Sequence, residues 1–554
     1  MKYEQVNKNS TFIEEKIALF GTEDPERDFV KSNIALIKDA ASSIEAAMKA
    51  NMPIKVVGDY DCDGQNFLII MGLIFRAYGY SNYTLRAPKR ISEGYGLSDK
   101  IVDEIIKTPM GLCILGDNGI KAISQVQRLI DFGWDVIILD HHEASDNGVL
   151  PPAGIIIDPA AIEQSKFHCF CGAGLAYKLA CEMKIDKKIM KQISSFAAIA
   201  TVADSVDLID SKTKAYDNYM IIKRGLKTML DGGVTKGLYV LLRKIGLDYA
   251  ITEKNLGYLV GPIFNAPGRL IDDGSNLVIG LMLDDSSSFS VLEAKADTLI
   301  ALNNKRKEIE AAVVEKVNKQ IHEEEISQLG ATPKGIVVVF SEETPEGVAG
   351  LISGQLTQER KIPSIAFACS GDPDIIKGSA RSCNGVNMIE LLNKHNSLIK
   401  AYGGHAGAAG LSIYRNNFDA FKKELEDAIG PYVQQEEIAF YDYEILQSDV
   451  QAVYKQIQKF APFGNGNPEP IFRIKDFASC AQQSGEQFRI LGAKKKTIKI
   501  FGFDCDLINF TGKGLEEFEK KNFPSSVDVI GTLNENSFHG KKSLQMNFSA
   551  IKPA

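Results

Sequence analysis

Four short apolar segments, each followed directly by polar chemistry, constrain the fold of this 554-residue chain most strongly. They span residues 53–57, 112–115, 136–139 and 155–157. Apolar runs this short, separated by stretches long enough for helices, predict buried parallel strands of a doubly wound α/β sheet. Ligand sites in such sheets lie beyond the carboxyl ends of the strands. The acidic residues that follow each run are therefore candidates for a shared site.

The first run leads into Asp59, Asp61 and Asp63, three carboxylates within five residues. Carboxylates this close repel one another unless cations neutralise them. A solvated acidic turn is the alternative, and these residues alone leave it open. A calcium loop of the EF-hand type is excluded, because no Glu occupies the twelfth loop position.

The third run leads into Asp140, His141 and His142, and the chain has only seven histidines. Asp117 follows the second run, and Asp204 lies further along; each alone could be a helix cap or a turn residue. Together these residues supply carboxylate oxygens and one or two imidazoles, a ligand set suited to Mn²⁺ or Mg²⁺. Carboxylates that bridge two such ions indicate metal-assisted hydrolysis of a phosphoester.

The length and the 45% hydrophobic, 24% charged composition predict a globular protein of several domains. Residues 286–329 contain no Gly or Pro and carry an amphipathic pattern, which predicts a long connecting helix. Short strand-like stretches after residue 431 predict a small β-barrel. The predicted divisions are an α/β domain at 1–285, the helix at 286–329, a smaller α/β domain at 330–430 and the barrel at 431–554.

No apolar run approaches the ~20 residues of a membrane helix, and no apolar signal core follows Met1. We therefore expect a cytoplasmic protein without membrane contact, whose nine scattered cysteines are reduced. The net charge of −8 conceals a local basic stretch at 487–499, which contains no acid. Lys494, Lys495, Lys496 and Lys499 are interleaved with Phe488, Phe501 and Phe503, a pattern that suits single-stranded nucleic acid but also a solvated hairpin with core aromatics.

The motifs Asp59-Tyr-Asp-Cys-Asp-Gly64, Asp117-Asn-Gly-Ile120, Asp140-His-His-Glu143 and Thr201-Val-Ala-Asp204 resemble successive signatures of the DHH phosphoesterase superfamily. Residues 90–97, 171–178, 261–269, 377–382, 403–410 and 461–472 resemble motifs of its RecJ branch. The similarity extends from near residue 53 to near the C-terminus. It implies a DHH-type doubly wound domain, a connecting helix, a DHH-associated α/β domain and an OB-type barrel.

The resemblance also implies a role for individual residues. The implied ligands of two divalent metal ions, Mn²⁺ or Mg²⁺, are Asp61, Asp63, Asp117, His141 and Asp204. Implied catalytic or supporting residues are Asp59, Asp140, His142, Asn265, Arg269 and His405. Implied substrate-binding residues are Arg90, Ser379, Arg381, Ser382, Gly404, Lys494, Lys495 and Lys496, the first three as a pocket for the 5′ end.

The activity implied by the resemblance is an exonuclease that degrades single-stranded DNA from the 5′ end to 5′-mononucleotides in recombination and repair. Implied partners are single-stranded DNA, single-strand-binding protein and a RecQ-type helicase, and we expect a monomer. One alternative is a phosphodiesterase of cyclic dinucleotides or short oligoribonucleotides. Another is a non-catalytic DNA-binding scaffold, although such relatives typically lose metal ligands that are all retained here.

Several positions depart from the family pattern and indicate a divergent member. Gln65 stands where small or hydroxyl residues are usual, and Ile263 replaces a common arginine. Thr344 and Pro345 stand where many relatives have Trp-His, and Ala380 replaces a glycine. None of these positions is an expected metal ligand, so we expect hydrolysis to be retained.

Joint replacement of Lys494, Lys495 and Lys496 by alanine tests the predicted basic surface. We expect weaker binding of single-stranded DNA and a shallower dependence of affinity on salt, because fewer counterions are released. Binding titrations over a range of salt concentrations measure both. Equal affinities of the variant and the parent protein at every salt concentration would remove these lysines from the DNA-binding surface.

Overall fold

The computed structural model describes residues 2–7, 10–145, 148–248, 250–327, 334–431, 438–480, 487–491, 497–511, 526–538 and 541–553. The chain begins with strand β1 (Lys2–Gln5) and helix α1 (Phe12–Phe20). The first α/β domain follows. Its strands are β2 (Ile54–Val57), β3 (Tyr83–Arg86), β4 (Leu112–Gly116), β5 (Asp135–Leu139) and β6 (Ile155–Ile157).

Helices cover this sheet and complete the domain. They are α2 (Ile37–Lys49), α3 (Cys62–Ala77), α4 (Asp99–Ile105), α5 (Ile123–Asp131), α6 (Gly172–Glu182), α7 (Lys187–Ala203), α8 (Asp217–Leu230), α9 (Lys236–Lys244), α10 (Glu253–Asn255), α11 (Gly261–Leu270) and α12 (Ser275–Met282). A π-helical turn, Leu256–Val260, joins α10 to α11.

The five strands pair in parallel in the order β3-β2-β4-β5-β6. The four strands expected from the apolar runs are thus confirmed as neighbours in one doubly wound sheet. Strand β3 lacks such a run because it lies at the sheet edge and alternates half-buried with exposed side chains. Helix α3 is buried from Cys62 to Phe75, which explains its almost entirely apolar sequence.

A single long helix, α13 (Phe289–Ser327), connects the two α/β domains. Its 39 residues correspond to about 58 Å of helix. Leu292, Ala296 and Leu299 join the core of the first domain. Val313 and Val317 pack with apolar residues of the second domain. The helix therefore fixes the spacing of the two domains through apolar contacts at both of its ends.

The second α/β domain contains β7 (Val337–Phe340), β8 (Ser364–Cys369), β9 (Ile375–Arg381), β10 (Ile399–His405) and β11 (Ala408–Tyr414). Its helices are α14 (Ala349–Arg360), α15 (Met388–Lys394) and α16 (Phe418–Ile429). The strand order is β10-β11-β9-β8-β7, and only β7 and β8 pair in parallel. The Gly-rich stretch 403–410 forms the end of the β10–β11 hairpin.

The C-terminal region contains one helix, α17 (Val450–Ile457), among the described residues. Its strands are β12 (Ile438–Tyr441), β13 (Tyr443–Ile445), β14 (Phe472–Ala478), β15 (Phe488–Leu491), β16 (Thr497–Ile500), β17 (Asp506–Asn509), β18 (Ser526–Phe538) and β19 (Lys541–Pro553). Strand β12 pairs with β1, and the others form one sheet in the order β13-β14-β18-β19-β17-β16-β15.

The central part of this sheet closes on itself. Ser479, just after β14, forms a bridge with Gly502, just after β16. Next to it, the N–H of Cys480 donates to the carbonyl of Phe501 over 2.9 Å. These contacts join the two ends of the run β14-β18-β19-β17-β16, so five strands enclose one core. The expected small barrel is confirmed as a five-stranded, OB-type closure.

The barrel shares its core with the first domain and with the N-terminal helix. Phe12 and Phe20 of α1 and Tyr219 of α8 join the same apolar cluster as Phe472 and Val529 of the barrel. The barrel is therefore packed against the first domain rather than merely tethered to it.

A Gly116→Ala substitution tests the packing between the sheet and α3. An added Cβ at the end of β4 would lie 2.0 Å from the ring of Phe67, which is fully buried. We expect a loss of about 1–3 kcal/mol in the free energy of unfolding, measured by denaturant titration. Gly280→Ala in α12 is the matched control, because nothing lies within 4 Å of its Cβ position. Equal stability of the two variants would contradict this packing.

Candidate metal centre

The strand ends bring distant acidic residues to one place. Asp59 and Asp61 follow β2, Asp117 follows β4, and the Asp140-His141-His142 motif follows β5. Asp204 reaches the same place from the C-terminal end of α7. Among the described residues, three groups result in which the possible metal-binding atoms all lie within 4.8 Å of one another. The groups are Asp59, Asp61 and Asp117; Asp63, His141 and Asp204; and Asp117, His141 and His142.

Backbone N–H groups fix the first two expected ligands. Asp61 caps α3, and its Oδ1 accepts hydrogen bonds from the N–H groups of Asp63 and Gly64 at 3.0 and 3.2 Å. The carboxylate of Asp63 accepts from the N–H groups of Gly172 and Ala173, at the N-terminus of α6, at 2.6 and 2.8 Å. Gly172 is required there, since a Cβ would lie 2.6 Å from the Cβ of Asp117.

His141 lies at the middle of the cluster. Its Nε2 is 3.1 Å from Oδ1 of Asp117, 3.6 Å from Oδ2 of Asp63 and 3.7 Å from Oδ2 of Asp204. One ring nitrogen thus faces carboxylates from three separate elements. Burial lowers the pKa of His141, which favours the neutral imidazole that binds metal ions.

The electrostatics of the cluster fit divalent cations. Burial raises the pKa of Asp61, Asp117 and Asp204, and the charges of neighbouring carboxylates raise each further. The ionised cluster is therefore unfavourable by itself and would be stabilised by bound positive charge. Its oxygen and imidazole donors match the preferences of Mn²⁺ and Mg²⁺. Cys62 adds no thiolate, because burial raises the pKa of its thiol well above the ordinary value.

Asp140 and His142 form a pair beside the ligands. Nδ1 of His142 is 2.7 Å from Oδ1 of Asp140, and Oδ2 of Asp140 accepts from the N–H of Ile120 at 2.9 Å. Burial opposes a charged His142, but the hydrogen bond and charge of Asp140 outweigh it and raise the pKa of His142 to about 9. The hydroxyl of Tyr95 lies 3.0 Å from Nδ1 of His142 and donates to the carbonyl of Asp117 over 2.8 Å.

Asp59 and Asn265 hold the loop that carries Asp61. Asp59 is 1% exposed, and its Oδ1 accepts from the N–H of Gly96 at 3.1 Å. Oδ1 of Asn265, on α11, accepts from the N–H of Cys62 at 2.9 Å. Both residues are therefore placed to support the ligand loop.

The expected end pocket is a cavity of about 240 Å³ between the two α/β domains. The first domain contributes Tyr60 and Arg90, whose guanidinium carbon lies 4.4 Å from the centre of the Tyr60 ring. The second domain contributes Ser379 and Lys377. Arg381 contacts the cavity lining, because its Nη1 donates to Oγ of Ser379 over 2.9 Å.

Arg269 lies at the same junction. Its Nη1 donates to the carbonyl of Gly347, in the second domain, over 2.9 Å. Burial and then the positive charge of Arg90 lower the pKa of Arg269 to about 9. Two half-buried guanidinium groups whose positive charges act on each other favour a bound anion between the domains.

Other expected site residues have only local contacts among the described residues. Nδ1 of His405 accepts from the N–H of Gly407 at 3.2 Å. The hydroxyl of Ser382 donates to the carbonyl of Val386. Gly404 has a φ of +148°, and a Cβ there would lie 2.3 Å from the carbonyl oxygen of Ala408. Lys494, Lys495 and Lys496 lie outside the described residues.

Several residues of the site were missed by sequence reasoning. Tyr95 and Gly172 lie within motifs that carry the family resemblance, but their contacts with Asp117 and Asp63 depend on the folded loops. Lys377 is paired with Glu346 at 2.6 Å beside the cavity, although their positions are 31 residues apart. Asp158, the acid after β6, instead accepts from N–H groups of its own turn.

Four of the five departures from the family pattern are buried, and Pro345 is half-buried. Gln65 is fully buried, and its amide donates to the carbonyl oxygens of Tyr60 and Phe264 at 2.8 and 3.2 Å. Ile263 and Ala380 join apolar clusters. Gln65 thus ties the ligand loop to α11.

The fold and the site together define a DHH-type protein with a carboxylate–histidine cluster that can hold divalent metal ions. Three family models match: the DHH family N-terminal domain at 53–201, the DHHA1 domain at 332–430 and the RecJ OB domain at 441–550. In all three of these domains the chain therefore resembles the RecJ family.

Known relatives agree with this assignment. The chain is 29% identical to the single-stranded-DNA-specific exonuclease RecJ of Salmonella typhimurium and 28% identical to that of Escherichia coli, covering 93% of this chain and 90% of each relative. RecJ of Thermus thermophilus in complex with Mn²⁺ matches 100% of this chain and 80% of that chain, with a TM-score of 0.78 and 21% identity. Its complex with Mg²⁺ has a TM-score of 0.71 at 20% identity, covering 100% of this chain and 79% of that chain.

Among the described residues, no helix combines the length and the apolar character that crossing a bilayer requires.

An Asp204→Asn substitution tests the repulsion in the cluster. At pH 8 in EDTA, we expect the variant to be more stable than the parent protein by on the order of 1 kcal/mol, because one buried charge is removed. The parent protein should gain about 2.7 kcal/mol when Mn²⁺ reaches 100 times its Kd, and the variant should gain much less. Thermal unfolding with and without Mn²⁺ measures both effects.

The sign of the pH dependence follows from the raised pKa values. In EDTA the ionised cluster destabilises the fold, so lowering the pH through these pKa values should relieve the penalty in the parent protein. Asp427→Asn, at an exposed site on α16, is the control and should leave the Mn²⁺ response unchanged. An Asp204→Asn variant with the stability and Mn²⁺ response of the parent protein would contradict the clustering.

Proposed function

We propose that this protein is a metal-dependent exonuclease that degrades single-stranded DNA in the 5′ to 3′ direction to 5′-mononucleotides. The observation that carries the proposal is the convergence of Asp61, Asp63, Asp117, His141 and Asp204 beside a basic interdomain cavity. Relatives that match almost the full length of the chain are named single-stranded-DNA-specific exonucleases.

The proposed chemistry is hydrolysis of a phosphodiester bond. Two bound divalent ions would supply water activation and would offset the negative charge that develops on the phosphate oxygens. Asp61, Asp63, Asp117, His141 and Asp204 would hold them. His142, paired with Asp140 and partly exposed, would deliver a proton to the departing oxygen. Asp59 and Asn265 keep the ligand loop in position.

The interdomain cavity accounts for the proposed end specificity. Arg90, Ser379 and Lys377 line it together with Glu346, which is paired with Lys377. A terminal phosphate would accept hydrogen bonds from Arg90 and Ser379. Arg381 would support the pocket through Ser379. A cavity of about 240 Å³ has room for a terminal phosphate and its neighbours, and the proposed path of the strand would end there. An enzyme with this pocket would cleave near a terminus rather than in the middle of a strand.

We propose that the barrel binds the remainder of the single strand. Phe503 and Phe510 are 73% and 59% exposed, so their rings are available for stacking with bases. Phe501 is instead buried, and Lys499 is paired with Asp506 at 2.8 Å. The proposed stacking surface thus rests on Phe503 and Phe510. Cytoplasmic location, a monomeric state, and single-strand-binding protein and a RecQ-type helicase as partners remain proposals from family resemblance.

A degradation assay with 5′-labelled and 3′-labelled oligonucleotides tests the proposal. With Mn²⁺ or Mg²⁺, we expect single strands to lose 5′-mononucleotides progressively and blunt duplex to remain intact. Activity confined to a dinucleotide or a cyclic dinucleotide would support the phosphodiesterase alternative. Binding of single strands without any cleavage would support the scaffold alternative.

Asp140→Ala and His141→Ala separate catalysis from binding. We expect each to reduce the cleavage rate by at least ~100-fold while DNA affinity changes little, because the metal centre acts mainly in the transition state. Single-turnover cleavage and fluorescence anisotropy measure the two quantities. His395→Ala, at a second-domain histidine paired with Glu424, is the control and should cleave normally. Retention of full cleavage by His141→Ala would contradict the assigned centre.

A further inference from the structure

Asp204 is anchored differently from the other acids of the metal centre. Among the described residues, no N–H group donates to its carboxylate, whereas Asp61 and Asp63 each accept two such bonds. Asp117 also lacks a backbone N–H donor, but Nε2 of His141 lies 3.1 Å from its Oδ1, and Asp117 is 3% exposed and lies directly against Gly172. The side chain of Asp204 is 25% exposed. Its position therefore depends on the backbone that carries it.

That backbone is the end of a helix. Asp204 is the C-cap of α7, where an acidic side chain meets the negative end of the helix dipole. The next residue, Ser205, has a left-handed φ of +58°, so the chain turns sharply away from the helix. Neither feature by itself directs the carboxylate towards His141. Contacts from outside α7 hold residues 204–209 in this path: within the first domain, the side-chain amide of Asn218 donates to the carbonyl of Asp207 over 2.9 Å. A further support comes from another part of the chain.

The structure supplies this support from the C-terminal region, by a turn at residues 464–467. The side-chain amide of Asn465 donates to the carbonyl of Ser205, directly after Asp204. The N–H of Leu208 donates back to the carbonyl of Asn465 over 2.8 Å. Gly466 has a φ of +72°, and a Cβ there would lie 2.8 Å from the carbonyl oxygen of Ile209. Two hydrogen bonds and one close approach thus join the two segments.

The turn is itself rigidly held. Gly464 and Asn467 exchange two backbone hydrogen bonds, each 3.0 Å long. Asn467 is fully buried, and its amide donates to the carbonyls of Phe460 and Pro462 at 2.9 and 2.8 Å. Its Oδ1 accepts from the buried ammonium group of Lys16, on α1, at 2.6 Å. The support for residues 204–209 therefore continues into the N-terminal helix.

We propose that Asn465 is a positioning residue of the metal centre, through which the C-terminal region holds Asp204 in place for metal binding. The inference rests on the proposed function only in taking Asp204 as a metal ligand. The 461–472 motif, which lies near the start of the barrel, would thus also have a role in the metal centre. Supporting residues of this kind typically change metal affinity by about 10- to 100-fold when they are replaced.

An Asn465→Asp substitution is the sharpest test, because it keeps the shape of the side chain and removes the donor to Ser205. Asn465 is exposed, so the variant should fold, with an unfolding temperature close to that of the parent protein. We expect the Mn²⁺ concentration for half-saturation, followed by electron paramagnetic resonance, to rise about 10-fold. Saturating Mn²⁺ should restore the cleavage rate, and KM for DNA should not change. Asn465→Ala should behave in the same way.

Asn534→Ala is the matched control. Asn534, in β18, also joins the barrel to the first domain, by accepting from Nζ of Lys254, but it does not contact residues 204–209. Its Mn²⁺ titration should match that of the parent protein. Parental Mn²⁺ affinity in Asn465→Asp, or an equal loss in Asn534→Ala, would overturn the proposal. The Mn²⁺ titration measures metal binding independently of DNA cleavage. A parent protein that binds Mn²⁺ but cleaves no DNA would therefore refute the proposed function and leave the role of Asn465 intact.

Discussion

Mutual repulsion among carboxylates is the constraint on which the rest of this structure depends. Asp63, Asp117 and Asp204 come from three regions of the chain and meet around the imidazole of His141, and Asp61 lies beside Asp117. Burial and proximity both oppose their ionisation. The fold keeps them together because parallel strands end at one edge, backbone N–H groups hold two of them, and apolar packing covers the sheet beneath.

The surrounding domains add to this centre the surfaces that a site for a polymer requires. The connecting helix α13 packs into both α/β domains and so keeps a basic cavity between them. The barrel shares an apolar core with the first domain and with α1. Through residues 464–467 it also supports the segment that carries Asp204. The metal centre and the barrel are thus parts of one packed structure.

The strand-end chemistry could be predicted from sequence because it is local. Each apolar run and the acid after it are adjacent in the chain, so the sheet and the candidate metal-binding residues could be predicted from the pattern. The division of those candidates into ligands and supporting residues came from the family resemblance. The contacts of Tyr95 with Asp117 and His142 could not be predicted, because they depend on how one loop folds over two strand ends. The link between Asn465 and Ser205 spans 260 residues and has no periodic signal. Edge strand β3 was missed because its burial pattern is weak.

The central claim is that these acids and His141 bind two divalent ions. Crystals soaked in Mn²⁺ and measured at the manganese absorption edge test it most directly. The account predicts two anomalous peaks about 3.5–4 Å apart, bounded by Asp61, Asp63, Asp117, His141 and Asp204. Crystals of the fully folded protein with no anomalous peak among these side chains would contradict it.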